Sequence, residues 1–255
     1  MCIRDSTTSN PGTYSSAIGY QTLASGDYST AMGRNTTASE ARSTSMGTNT
    51  TASGYASTAM GGLTTASGRV STAMGHQTYA SDYASLVIGQ FNSSGSSVTN
   101  NATSFNTANT AFVIGNGTAT NAKSDAFKVM FNGDATVSND LTVSGDVVVS
   151  SDARLKSNIV SLGSTLSRLL LIDGKSYEMK GKQKIGVLAQ EIKEVFPELV
   201  TEDSNEMLAV NYQGLVPVLI NALKEQDAKL NEQETKYMEQ EQRLERLERL
   251  VANMD

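Results

Sequence analysis

The 255-residue sequence has no Trp, a single Cys (Cys2) and a single His (His76), and only 6% of its residues are aromatic. These absences exclude a disulfide framework, a Cys/His zinc site and a His-based catalytic triad within one chain, so we expect no cofactor and no metal. Hydrophobic residues make up 38% of the chain, below the usual share of about 45–50%. A single large enzyme with a thick mixed core is therefore not expected.

Strong charge of one sign and long apolar runs are also absent. The 20 basic and 26 acidic residues give a net charge of −6, which provides no basic surface for nucleic acid and no attraction to an anionic membrane. No apolar run approaches the roughly 20 residues of a membrane span, and Met1–Asn10 is too polar for a signal peptide. We expect neither a nucleic-acid partner nor membrane insertion.

Charge is distributed unevenly along the chain. Residues 1–150 contain 14 charged side chains, whereas residues 151–255 contain 32. The first part is rich in Ser, Thr, Ala, Gly and Asn, and the second in Lys, Glu, Leu and Gln. Such a step predicts a domain boundary near Ser151.

The first part repeats every 14 residues, in the segments 15–28, 29–42, 43–56, 57–70 and 71–84 and in the start of a sixth copy at 85–89. The first position is always Ser, the fifth Gly, the eighth Thr, and the tenth and eleventh are Ala-Ser. The fourth position is always apolar: Ile18, Met32, Met46, Met60, Met74 and Ile88. Disorder requires no such registry, whereas a solenoid does, because each coil places the same side chain in the same layer.

A 14-residue unit suits one coil of two short strands and two turns. The alternation predicts that Ala, Met and Ile face inward, and that the fifth-position Gly lies in a turn with positive φ. Such a core is thin, so the coils gain stability if several chains pack side by side.

The Ser-x-Ala-Ile/Met-Gly and Ala-Ser-Gly array resembles the head repeats of trimeric autotransporter adhesins. Over residues 15–89 the resemblance implies a left-handed parallel β-roll built by three chains; residues 1–14 are a partial repeat or a start that is foreign to the array. The repeats act either as a binding face or as a rigid spacer. Ice binding is disfavoured, because no rank of two Thr runs through every copy. His76 and the tyrosines show no clustering by pattern and are interpreted as surface variation.

Residues 90–150 lose the period. They predict a β stalk or neck with four short strands, at Ala111–Gly115, Ala126–Phe131, Ala135–Val137 and Asp140–Ser150.

The last part opens with Ser151-Asp-Ala-Arg-Leu-Lys156. By itself, a Ser five residues before a Lys is a weak signal. Residues 185–200 then predict a strand followed by a helix that ends at Pro197, and residues 208–225 predict a strand followed by a helix. In this order the segments resemble the C-terminal intramolecular chaperone domain of endosialidases and phage tail spikes. That family trimerises, assists folding of the upstream β-structure, and cleaves itself off.

The resemblance implies that Ser151 is the nucleophile, that Lys156 is the base and that Ser150–Ser151 is the scissile bond. The chemistry is reasonable without His, because burial and nearby positive charge lower the pKa of a lysine toward neutral and so allow it to act as a base. Lys175, Lys180, Lys182 and Lys184 either add positive charge to this site or belong to a solvated hairpin.

The tail predicts a coiled coil with a seam of two heptad columns. The predicted trimer seam is Val216, Leu219, Leu223, Leu230, Tyr237, Leu244, Leu247 and Val251, completed by Gln226, Gln233, Gln240 and Met254. The three Gln fix register or chain number at a cost in stability.

The sequence therefore predicts a mostly β fibrous homotrimer: a solenoid at 15–89, a stalk at 90–150, an α+β chaperone at 151–215 and a parallel trimeric coiled coil at 216–255. We expect a virion protein of the tail-fibre or tail-spike type that cleaves itself once and attaches to a host receptor or glycan. The alternative is a bacterial surface adhesin whose last domain only trimerises. Catalysis on external glycans is disfavoured, since residues 1–150 offer eight scattered acids.

Overall fold

The computed structural model describes residues 11–203 and 206–253. The chain divides into two compact units after Val148, and each is considered by itself. Residues 1–10, which include most of the predicted partial repeat, lie outside the described residues. Gly12 continues the repeat pattern, because its backbone N–H donates to the Ala24 carbonyl at 3.1 Å.

The first unit is a β-solenoid with the predicted spacing of 14 residues. Its long strands are Ser16–Tyr20, Thr30–Arg34, Thr44–Thr48, Thr58–Gly62, Thr72–His76 and Leu86–Gln90. Its short strands are Leu23–Ala24, Thr37–Ala38, Thr51–Ala52, Thr65–Ala66 and Tyr79–Ala80. Each set forms a parallel sheet in which every residue pairs with the one 14 positions later, as Ala17 does with Ala31 and Leu23 with Thr37.

The core of the solenoid is narrower than predicted. The Ala of the third and tenth positions are buried, as at Ala31 and Ala38, together with the Ser of the first and the Thr of the eighth position. The prediction that the fourth-position Met and Ile face inward is wrong: Met32 is 41% and Ile18 is 48% exposed. Because successive residues of a strand point to opposite faces, an inward third position places the fourth outside.

The eighth-position threonines are fully buried in the five complete coils. They therefore form no surface rank, whereas the second-position threonines, such as Thr30 and Thr44, pair in register on the outward face. The apolar column on that face comprises Ile18, Met32, Met46, Met60, Met74 and Ile88.

The fifth-position Gly lies inside the long strand, and the prediction of a turn there is wrong. Gly33 and Gly47 have φ values of 119° and 117°. A Cβ on Gly33 would lie 2.1 Å from the carbonyl oxygen of Gly47 in the next coil. Glycine is required because the coils approach each other too closely for any side chain. The corners are turned by other residues in the left-handed region, such as Asn35 and Leu63.

The end of the solenoid carries an insertion. Leu86 pairs in parallel with Phe112, 26 positions later, in the strand Thr110–Asn116. The inserted residues are held by the buried carboxylate of Asp82, which accepts hydrogen bonds from the backbone N–H groups of Thr99 (2.6 Å) and Thr110 (2.8 Å).

Antiparallel strands Asp125–Met130 and Ala135–Val137 complete this sheet, so three of the four predicted stalk strands form. The fourth, at Asp140–Ser150, does not. It joins no β-ladder among the described residues, and its apolar side chains are exposed, as at Val148 (89%).

The second unit is a small α+β region followed by a long helix. Its helices are α1 (Leu166–Leu169), α2 (Ala189–Val195) and α3 (Leu215–Ala252), and its hairpins pair Lys175–Met179 with Lys182–Gly186 and Val200–Glu202 with Leu208–Val210. Single 3-10 turns lie at Ala153–Leu155, Pro197–Leu199 and Tyr212–Gly214. The predicted strand-then-helix order and the helix end before Pro197 are confirmed, and the clustered lysines belong to the first hairpin.

Four buried side chains, those of Ile192, Phe196, Leu199 and Val218, form the core of this unit. Beyond this core, α3 is exposed along its length. The predicted seam lies on it uncovered, as at Leu223 (71% exposed) and Tyr237 (70% exposed), while Met254 lies outside the described residues. Within the described ranges, no helix has an apolar stretch long enough to cross a bilayer.

The Gly column gives a direct test of coil stacking. We expect Gly47→Ala to lower the free energy of unfolding by more than about 3 kcal/mol, because the new Cβ meets the Gly61 carbonyl oxygen at 2.0 Å and the backbone has positive φ. Thermal unfolding followed by circular dichroism measures the loss.

The matched control is Gly62→Ala, in the position after the Gly column. There the nearest atom to a new Cβ is the side-chain Nδ1 of His76 at 3.2 Å, so the expected change is within about 0.5 kcal/mol. Equal effects of the two substitutions would contradict the stacking account.

Candidate functional site

The structure brings together Ser151 and Lys156, the two residues that the sequence predicts as a dyad. Ser151 precedes the 3-10 turn Ala153–Leu155, and Lys156 follows it. The turn folds the chain back, so that Lys156 Nζ donates a hydrogen bond to Ser151 Oγ at 2.8 Å. The contact therefore depends on a turn of only three residues.

Asp152 holds this turn. Its Oδ1 accepts hydrogen bonds from the backbone N–H of Arg154 (2.9 Å) and from Arg154 Nε (3.0 Å), and its Oδ2 lies 2.6 Å from Arg154 Nη2. The Arg154 side chain, and secondly its backbone N–H, lowers the pKa of the Asp152 carboxyl from its ordinary value. Sequence reasoning gave Asp152 no role, although an Asp two residues before an Arg at the start of a turn is an N-cap signal.

The dyad is exposed to solvent in the single chain, as are the residues around it from Ser150 to Ile159. Such an arrangement can align an amine with a hydroxyl. To act as a base, however, the lysine must accept a proton rather than donate one, which requires desolvation. The described residues place no cover over the pair.

Glu225 lies on α3 and binds the segment that follows the dyad in the chain. Its carboxylate accepts hydrogen bonds from Ser164 Oγ at 2.6 Å, from the backbone N–H of Thr165 and from that of Leu166 at 3.2 Å. The hydroxyl of Thr165 donates to the Val218 carbonyl at 2.9 Å. The first of these contacts, that with Ser164, is the main cause that lowers the pKa of Glu225.

Sequence reasoning missed Glu225. It lies some 60 positions after the backbone groups that it binds, and no local pattern marks such a pair. Its effect is to anchor the start of α1, and with it the chain that leads from Lys156.

A second group of polar and aromatic side chains lies on the corner of the solenoid. The rings of Tyr14 and Tyr28 stack with centroids 5.3 Å apart. The guanidinium groups of Arg42 and Arg69 lie over the ring of Tyr55, at 5.4 and 5.1 Å from its centroid. From the sequence, the tyrosines are interpreted as surface variation that the pattern does not cluster; Tyr14 and Tyr28 do lie at the surface, and the structure adds contacts between successive coils.

Two further contacts in this region involve His76 and Lys123. His76 contacts Phe91 edge-on, with centroids 5.5 Å apart, and Lys123 Nζ lies 4.7 Å from the ring centroid of Tyr79. In the described ranges, no group of three or more His, Cys, Asp or Glu side chains is arranged to hold a metal ion.

Comparison with known proteins matches a segment of each unit to a different family model. Residues 151–201 match the family model described as chaperone of endosialidase, a serine peptidase family. Residues 11–36, 38–64 and 66–92 each match the YadA head domain repeat. The two matches follow the predicted order.

Curated relatives are phage proteins. The long tail fiber proteins Gp37 of Enterobacteria phage K3 and of Enterobacteria phage T2 are each 35% identical to this chain over 96 residues. The aligned stretch is 33% of this chain, and it spans 8% and 7% of the two relatives' lengths. The chain therefore matches less than a tenth of either fiber protein.

The hydrogen bonds accepted by Glu225 predict that the stability of the second unit depends on pH. Because the pKa of Glu225 is lower in the folded state, its stabilising contribution is present above the ordinary value of 4.5 and is lost as pH falls through the folded-state pKa. We expect Glu225→Gln to lower the melting temperature of the second unit near neutral pH, and the difference from wild type to shrink as the solution is acidified below pH 4.5.

Melting curves of wild type and variant over a pH series measure this difference. Glu245→Gln, on the exposed part of α3, is the matched control and is expected to leave the melting temperature unchanged. A difference in melting temperature between Glu225→Gln and wild type that grows on acidification would contradict the stabilising role of these hydrogen bonds.

Proposed function

We propose that this chain is a homotrimeric protein of the phage tail-fibre type whose second unit assists assembly of the β fibre and then releases itself by cleavage between Ser150 and Ser151. The observation that carries the proposal is the contact of Lys156 Nζ with Ser151 Oγ, at the start of a segment that matches the endosialidase chaperone family. The tail-fibre relatives and the adhesin-type head repeats support the setting in a virion.

The proposed reaction needs only groups of this chain and water. Ser151 Oγ attacks the carbonyl carbon of Ser150, and its proton passes to Lys156 Nζ. The C–N bond then breaks, the Ser151 nitrogen takes the proton, and an ester joins the Ser150 carbonyl to Oγ. Water hydrolyses the ester, which leaves a carboxylate on Ser150 and restores the Ser151 hydroxyl. The reaction occurs once per chain, with no external substrate.

Association of three chains supplies the cover that the dyad lacks. Apolar side chains around the dyad are exposed in the single chain, among them Leu155 (74%), Ile159 (67%) and Val160 (82%). Burying them against a neighbouring chain is favourable, and it removes water from Lys156 at the same time. Assembly therefore precedes cleavage, and the second unit is discarded only after it has acted.

The solenoid supports the same assembly. Its outward column of Met and Ile runs straight along one face, and contiguous apolar surface of this kind marks an interface. Three left-handed β-rolls packed side by side bury the columns together, as expected from the trimeric adhesin heads. The trimer then presents the remaining faces of the repeats as a host-binding surface or a rigid spacer.

Charges beside the seam of α3 favour parallel chains. One heptad column of the seam runs through Leu230, Tyr237 and Leu244, and the residues just before these are basic: Lys229, Lys236 and Arg243. The other column runs through Gln226, Gln233, Gln240 and Leu247, and the residues just after these are acidic: Asp227, Glu234, Glu241 and Glu248. In a parallel coiled coil, each basic residue faces the acidic residue five positions later on its neighbour. An antiparallel arrangement sets like charges against each other, so the pattern selects the parallel one.

The alternative is a bacterial surface adhesin whose last domain trimerises and is not cut. The head-repeat match over residues 11–92 favours it. The two functions differ in one observable, the integrity of the Ser150–Ser151 bond.

Cleavage tests the proposed dyad. We expect the wild-type chain to yield two fragments on a denaturing gel, the smaller beginning at Ser151. Ser151→Ala and Lys156→Ala are expected to slow cleavage by about 100-fold or more. Ser157→Ala, an exposed serine nearby, is the matched control and cleaves as wild type. An intact wild-type chain favours the uncut adhesin, and cleavage that survives Ser151→Ala rules out this nucleophile.

Charge exchange tests the parallel seam. In the uncut Ser151→Ala background, we expect Lys229→Glu and Glu234→Lys each to lower the melting temperature of α3, and the double variant to regain it. Arg246→Glu, outside the seam, is the control. Sedimentation of the uncut chain is expected to give a trimer. Failure of the double variant to recover would contradict the parallel register, and a monomer would contradict the assembly.

A further inference from the structure

One corner of the solenoid carries a ladder of aromatic and guanidinium groups, one in each of six successive coils. We call it the turn ladder, and it consists of Tyr14, Tyr28, Arg42, Tyr55, Arg69 and Tyr83. The backbone turns that hold it are stacked by hydrogen bonds between coils, such as Tyr28 N–H to the Thr13 carbonyl (2.8 Å) and Val70 N–H to the Tyr55 carbonyl (2.8 Å). The spacing of rungs is therefore that of the strands, about 4.8 Å.

The centre of the turn ladder is a Tyr between two Arg. The Arg42 and Arg69 side chains come from the coils before and after that of Tyr55, and both guanidinium groups lie over its ring. Arg42 also donates a hydrogen bond to the Tyr55 hydroxyl. Tyr55 thus fixes two guanidinium groups that are about two strand spacings, or 10 Å, apart along the fibre axis.

Most of the donors of these two guanidinium groups are unused. Arg42 and Arg69 are exposed, and neither forms an ion pair with a carboxylate among the described residues. Of the acids on neighbouring turns, Asp27 is occupied by the backbone N–H of Thr13 (2.8 Å) and Asp82 is buried, which leaves Glu40 as an exposed acid near them. A held guanidinium with free donors is suited to bidentate binding of an oxyanion.

The lower rungs offer aromatic surface beside this positive charge. Tyr14 is 78% and Tyr28 is 58% exposed, although the two rings stack. Exposed tyrosines have a flat apolar face and a polar hydroxyl, which suits the alternating C–H and O–H groups of a sugar ring. The rungs change from the fourteenth repeat position in the first three coils to the thirteenth in the next three, and all lie along one corner of the solenoid. Aromatic faces and oxyanion-binding forks along one corner fit a linear polymer that carries both sugar rings and negative charges.

We propose that the turn ladder binds an acidic glycan of the host surface, with Arg42 and Arg69 on its oxyanions and Tyr14 and Tyr28 against its sugar rings. The inference rests on the proposed function, because it assigns the ligand class to the fibre's attachment. It favours a binding face over a plain spacer for the repeats. The oxyanion is the carboxylate of a uronic acid or the phosphate of a phosphorylated sugar, which the ladder recognises by the same contacts.

Binding of the whole chain to three polymers tests the proposal: alginate as a uronic-acid polymer, a phosphorylated mannan, and neutral dextran. We expect binding to one or both acidic polymers and none to dextran, and a loss of affinity as salt is raised. Arg42→Ala and Arg69→Ala are each expected to weaken binding by about tenfold or more. The polymer that binds identifies carboxylate or phosphate.

Matched controls are Tyr20→Ala and Arg34→Ala, which remove an exposed Tyr and an exposed Arg at the other end of the long strands. They are expected to bind as wild type. Arg42→Lys and Arg69→Lys keep the charge but lose the fork, so an intermediate affinity supports bidentate contact. Circular dichroism is expected to show the same fold in all variants.

Absence of binding to both acidic polymers, equal binding to dextran, or equal losses in the control variants would each overturn the proposal. Failure of the ladder variants to form the trimer would overturn it too, since the ladder then belongs to the chain interface. Cleavage at Ser150–Ser151 is followed in the same samples. Normal cleavage without glycan binding refutes the ladder alone, whereas an uncut wild-type chain refutes the proposed release.

Discussion

Incomplete burial within one chain is the constraint on which the rest of this structure depends. The solenoid encloses mainly Ala, Ser and Thr, with Val87 and Val113 at its end, and leaves the apolar column that includes Met32 outside. In the second unit, a core of four side chains supports a 38-residue helix whose seam is exposed. Both units carry apolar surface that a single chain leaves exposed, and we propose that copies of the chain pack along it.

The same constraint links assembly to chemistry in our account. The turn held by Asp152 already sets Lys156 Nζ 2.8 Å from Ser151 Oγ, so this contact forms within the single chain. What the single chain lacks is desolvation, because the dyad lies among exposed side chains. If the base is buried only on association, cleavage follows assembly. A chaperone that is to be discarded needs this order, because it must act before it is released.

The sequence predicts those parts of the fold that repeat or follow local rules. Registry at 14 residues predicts the coils, and strand and helix patterns predict the order of the second unit. The orientation of Met32 was mispredicted, because neighbouring residues of a strand point to opposite faces and either the small Ala31 or the apolar Met32 could face the core. The structure buries Ala31. The role of Gly33 was mispredicted for a related reason: its positive φ serves close contact between coils rather than a turn. Glu225 depends on contacts between distant positions, which no local spacing encodes. Tyr55 and Arg69 lie one 14-residue period apart and so in adjacent coils, but Tyr and Arg do not recur at this position in every copy, so the pattern does not mark their contact.

The central claim is that association activates the dyad, and it is tested by cleavage in a chain that cannot associate. A variant with Leu230→Asp and Leu244→Asp places charge on the exposed seam without touching the residues around Ser151. We predict that it sediments as a monomer and keeps the Ser150–Ser151 bond intact, while the wild-type trimer is cut. A monomeric variant that is cleaved at this bond as fast as wild type would contradict the account.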